Sequence, residues 1–93
     1  MSQQNQNLQQ IEQHRARIDE LDRQIVAFLN ERSGQSLAIR ALKPGAGMVL
    51  FDPAREDQIF QKIEKLNEGP LTNDGLREIY AVLLKVMKET PAL

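Results

Sequence analysis

Residues 25–43 read IVAFLNERSGQSLAIRALK, a proline-free run that puts Arg32 where a helical stripe asks for an aliphatic side chain. Working outward, Ile11, Ile18, Ile25, Arg32 and Ile39 recur every seven residues, and Arg15, Asp22, Leu29, Ser36 and Lys43 form an interleaved row. The two rows step down one face in alternating threes and fours, as the a and d positions of a heptad do. Leu8, Leu21, Phe28 and Leu42 widen the stripe. The pattern predicts one long helix from Leu8 to Lys43, stopped by Pro44 and Gly45. Gly34 is its weak point, costing about 1 kcal/mol against alanine in a helix interior.

The rest of the chain reads as two shorter helices. PGAGMVLF, residues 44–51, is a loop with two glycines and an apolar end. In the following FDPARE, Asp52 suits an N-cap and Pro53 the first helical position, where no N–H is needed. Glu56, Ile59, Ile63 and Leu66 make the stripe of this second helix, and NEGP, residues 67–70, ends it. Thr72 or Asn73 can cap a third helix with the stripe Leu76, Ile79, Tyr80, Leu83, Leu84 and Met87, ended by Pro91. No strand pattern and no internal repeat occur, so the fold class is all-α with one long and two shorter helices. The Gln/Asn-rich residues 1–7 are expected to be a disordered tail, leaving residues 8–93 as one helical domain.

A first helix of about 35 residues is about 52 Å long, whereas a compact domain of this size has a radius of gyration near 13 Å. Two shorter helices cannot cover its whole stripe. A second copy of the chain is the simplest cover, so an intertwined homodimer is expected. The plainer alternative is a coiled-coil dimer carrying two appended helices.

Composition narrows the chemistry. The 93 residues contain no cysteine and one histidine, which removes disulfides, thiolate sites and a multi-histidine metal site within one chain. A net charge of -1 and the absence of tryptophan argue against nucleic acid and against an anionic membrane surface. The polar start MSQQNQNLQQ does not read as a signal peptide, and no apolar run approaches a membrane span of roughly 20 residues. A soluble, cytoplasmic protein is expected.

Arg15, Asp22, Arg32 and Lys43 break the aliphatic face of the long helix, and Glu56 breaks that of the second. Burying a charge is costly unless something pairs with it, and Asp22 can pair with only one or two of the three cations. An anionic ligand would satisfy the remainder, with arginine as a planar fork for carboxylates and lysine as a mobile point charge. Each residue alone has a simpler reading. Asp22 can set helix register, Arg15 can face solvent near a fraying end, and Lys43 can complement the helix dipole. Asp52 can be an N-cap only, Glu56 can favour the dipole from the first turn, and His14 can pack or face solvent. With no Ser/His/Asp set, metal cluster or phosphate-cradling loop, the tools are cations, a carboxylate and shape. They suit a dicarboxylate held in one conformation, with charge placed where it develops in the transition state.

HRARIDELDRQIVAFLNER (residues 14–32), then Lys43, FDPARE (51–56) and NEGPLTNDGLREIYAVLLKVM (67–87) resemble the all-helical class of chorismate mutases over about residues 8 to 90. The resemblance implies a three-helix protomer in an intertwined dimer with shared active sites. It implies the Claisen rearrangement of chorismate to prephenate, on the shikimate route to phenylalanine and tyrosine, with no cofactor and no metal. Carried over by position, Arg15 reaches into the other subunit's site to hold a substrate carboxylate, and Arg32 clamps a carboxylate in its own. Lys43 contacts a carboxylate and the ether oxygen. Asp52, mainly through its backbone, and Glu56 receive the substrate hydroxyl, supported by Arg55.

Two departures stand out. Counting from Tyr80, the family's ether-oxygen glutamine and the serine before it fall on Pro91 and Met87, neither of which can donate a side-chain hydrogen bond. Lys88 or Thr90 can substitute if the helix end shifts; otherwise Lys43 alone faces the ether oxygen and activity is low. Arg40 stands where the family often has a small residue, which implies altered local packing. Two other functions fit the same fold: an isochorismate pyruvate-lyase, which DPARE with Glu56 suits less well, and a low-activity regulatory or docking module of another shikimate-pathway enzyme.

Overall fold

The computed structural model describes residues 2–92, which form three α-helices and, among these residues, no strand. Helix α1 spans Gln3–Leu42, α2 Pro53–Leu66 and α3 Asn73–Glu89. Helix α1 therefore begins five residues ahead of Leu8, where the apolar stripe starts, and residues 3–7 are helical rather than a tail. Local polar bonding accounts for the extension. The Ser2 hydroxyl accepts from the Asn5 N–H at 3.2 Å, and Gln3 donates to the Asn7 side chain at 3.1 Å. The chain divides into two compact units, one up to Gly34 and one from Gln35 onward, so the glycine foreseen as the weak point marks the boundary.

The first unit is helix alone. None of its described residues is buried, and its aliphatic stripe faces outward: Ile18 is 53% exposed and Ile25 52%. The heptad rows are thus real as a face, and within one protomer this unit buries none of it.

The second unit packs α2 against α3. Ile63 and Met87, both foreseen as stripe residues, are its buried apolar side chains. Arg77 fastens the two helices from the outside, with Nη1 2.9 Å from Glu64 Oε1 and its guanidinium 4.5 Å from the Phe60 ring centroid. The turn between them is organised by Asn67. Its amide nitrogen donates to Leu71 O at 2.9 Å and Asn73 Oδ1 at 2.8 Å, while its Oδ1 accepts from the Gly69 N–H at 3.0 Å. Gly69 has φ +75, a left-handed conformation that disfavours a side chain.

Of the two possible caps of α3, Thr72 is the one used: its hydroxyl accepts from the Gly75 N–H at 3.0 Å. Thr72→Ala is expected to destabilise the protein by about 1 kcal/mol. Urea unfolding at fixed protein concentration, followed by helical circular dichroism, measures this loss; an unchanged midpoint would mean that solvent replaces the cap.

Candidate active site

The head of α2 is built by its sequence. Asp52 Oδ1 accepts from the Arg55 N–H at 3.1 Å, and Pro53 occupies the first helical position. This cap places Glu56 in the first turn, half-buried. Ahead of it, the loop closes through a 3-10 turn, Pro44–Ala46, and Gly47 at φ 72. Met48 N–H then returns to Lys43 O at 2.9 Å. That return folds the Lys43 side chain over the loop, where Nζ donates to Leu50 O at 2.9 Å. Lys43 thus reaches the carbonyl two residues ahead of the Asp52 cap, and Asp52 and Glu56 stand four residues apart at the head of α2. Arg55 is exposed beside them.

Helix α3 brings a further charge. Lys88 Nζ lies 2.9 Å from Glu56 Oε1, and it sits over Phe51, 4.6 Å from the ring centroid. The end of α3 is gripped by Arg40. Its Nη1 donates to Thr90 O at 2.7 Å, and its Nη2 donates to Met87 O at 2.9 Å and Lys88 O at 3.0 Å. These are carbonyls that a helix terminus leaves without intrahelical partners. The large side chain at position 40, read from the sequence as a packing change, is therefore a C-terminal cap supplied by another helix. Lys88 as a basic residue in the last turn of α3 was a visible signal. The Arg40 grip had none, because it joins residues 47 to 50 positions apart.

The α3 positions that depart from the family pattern serve structure. Met87, at the place of the family serine, is a core residue only 6% exposed. Pro91 lies beyond the helix end. The Thr90 hydroxyl donates to Val86 O at 2.8 Å and so serves the helix terminus. Two candidates, Arg15 and Arg32, lie on the first unit. Arg15 pairs with Glu12 at 3.1 Å, both side chains about 70% exposed, and Arg32 is half-buried.

Chemically, the α2 end offers two ammonium groups, a carboxylate and the positive pole of a helix, beside apolar Leu50 and Phe51. It can bind and orient an organic anion and steady negative charge. Among the described residues, no group of three or more His, Cys, Asp or Glu side chains could hold a metal ion. No helix there is long and apolar enough to cross a membrane.

Comparison with known proteins gives the class. Residues 14–90 match the profile described as chorismate mutase type II. A protein called chorismate mutase from Methanocaldococcus jannaschii is 30% identical over 79 residues, which cover 84% of this chain and 80% of that one. The chain belongs to the chorismate mutase type II family. A bifunctional chorismate mutase/prephenate dehydratase from Neisseria gonorrhoeae is 38% identical over 80 residues, 86% of this chain. The chain spans only 21% of that relative's length. The fold agrees with the solved structure of chorismate mutase (form II) from Thermus thermophilus, at a TM-score of 0.83 and 24% identity over 90% of this chain and 99% of that chain.

Proposed function

We propose that the chain is a cytoplasmic chorismate mutase converting chorismate to prephenate. The observation that carries this reading is Lys43 folded onto the Leu50 carbonyl, just ahead of the Asp52 cap and Glu56 at the head of α2, in a chain matched to the family over residues 14–90. In the reaction the ether C–O bond breaks while a C–C bond forms. No proton or electron passes to the protein, so positioning and electrostatics suffice.

In this reading Arg32 clamps one carboxylate with its two-pronged donor face, and Arg15 of a second copy reaches the other. Lys43 leaves the Leu50 carbonyl and meets the ether oxygen, where negative charge grows. Asp52, through its backbone, and Glu56 receive the substrate hydroxyl, and Arg55 supports them. The outward-facing stripe of α1, which a second copy would cover, supports the dimer. The bifunctional relatives support a further element: a partner, or a fused neighbour, from the same pathway.

Incubating the purified chain with chorismate, and following its ultraviolet absorbance, tests the reading. Chorismate is expected to disappear with formation of prephenate. Lys43→Met is expected to lower kcat/KM by about 10²-fold, the usual effect of losing one donor aimed at developing charge. No turnover by the unaltered chain would overturn the mutase assignment, and pyruvate release from isochorismate would replace it with the lyase. Activity appearing only with another pathway enzyme would favour the docking-module reading.

A further inference from the structure

Two ammonium groups converge on adjacent residues of the loop before α2. Lys43 Nζ donates to Leu50 O at 2.9 Å, and Lys88 lies 4.6 Å from the Phe51 ring centroid. Lys88 comes from the last turn of α3, the negative pole of that helix, a place that by itself repels an anion. Arg40 changes this. Its three hydrogen bonds occupy the carbonyls of Met87, Lys88 and Thr90 and bring a permanent positive charge to the helix end. With Lys88 beside it, the terminus becomes a cationic surface facing Glu56 and Phe51.

The contacts of Lys88 leave it able to change partner. Its side chain is 49% exposed and that of Glu56 29%, and an ion pair so open to water is weakly held. The Phe51 ring beneath the ammonium limits where it can swing. An arriving dianion offers more negative charge than Glu56 does, and Glu56 is then released towards a hydroxyl.

We propose that Lys88 is a substrate-contacting cation which exchanges Glu56 for a negatively charged oxygen of the bound dicarboxylate, and that Arg40 is the positioning residue that fixes the end of α3 carrying it. This rests on the head of α2 being the substrate site, as described under Proposed function. Lys88 then supplies the α3 contribution that Met87 and Pro91 cannot make.

Steady-state kinetics with chorismate and calorimetric binding of chorismate test it together on the full chain. Lys88→Met is expected to lower kcat/KM at least about 10-fold and to weaken binding, with Lys88→Arg restoring part of both. Arg40→Met is expected to lower kcat/KM as well. Combined with Lys88→Met, it should add little, because the two act through one group. A purely structural Arg40 would lower thermal stability and give additive kinetic losses, which would overturn its positioning role. Equal affinity and equal kcat/KM for the unaltered chain and Lys88→Met would overturn the role of Lys88. If the unaltered chain does not turn chorismate over, the mutase reading falls, and binding still decides Lys88: weaker binding by Lys88→Met supports it, while equal binding or none overturns it.

Discussion

Arg32→Ala is expected to lower kcat/KM for chorismate about 10³-fold. In the proposed site, the truncation removes a planar, permanently charged clamp and leaves a substrate carboxylate facing an apolar stripe without its cation. Removing one partner of a desolvated, hydrogen-bonded charge pair costs about 2–5 kcal/mol, and each 1.4 kcal/mol is about tenfold. Arg32 lies half-buried on α1, so its surroundings already exclude part of the water that would soften the loss. Arg32→Lys keeps the charge and loses the fork, and an intermediate loss is expected. Chorismate consumption measured with dimer content and helicity held constant checks both variants. Turnover by Arg32→Ala at the unaltered rate would remove Arg32 from the site.

Ile25→Glu is expected to abolish dimerisation and activity together. Ile25 is 52% exposed in the protomer and lies on the same row as Ile18, 53% exposed. Fully burying such a side chain is worth about 1.5–3 kcal/mol, so covering its exposed half is worth about half of that, and a two-fold interface contains each substitution twice. The variant also places two like charges on a stripe that a second copy should cover, which adds a desolvation cost. Dissociation should be strengthened by about 10²-fold or more, as these losses and the desolvation cost convert. Sedimentation across a concentration series reads the equilibrium directly. Activity should fall with the dimer, because in the proposed site Arg15 of the second copy is lost. An unaltered chain that is monomeric by light scattering and fully active would overturn both the dimer and the shared site.

The elements were legible because their signals are local. Proline-free heptad spacing marked α1, Asp52-Pro53 marked where α2 begins, and Thr72 or Asn73 marked where α3 begins, since a cap is a contact between residues a few positions apart. The start of α1 was less legible. Glutamine and asparagine carry no apolar period, so residues 3–7 gave no sign of the hydrogen bonds that extend the helix. Part of the proposed site's character stood out for a different reason. Arg32, Lys43 and Glu56 are charges where burial was expected, the conflict between pattern and chemistry on which the proposed site rests.

By itself, then, the sequence determined three helices, the Asp52 cap of α2, a stripe too long for one protomer to cover, and a set of charges fit for an anion. Only the tertiary structure decided that Lys88 meets Glu56 over Phe51 and that Arg40 holds the end of α3. The physical reason is range. Helical periodicity and capping follow from rotation and hydrogen bonding over three or four residues. The Arg40 and Lys88 contacts instead join residues tens of positions apart, on different helices, which meet only in the folded chain.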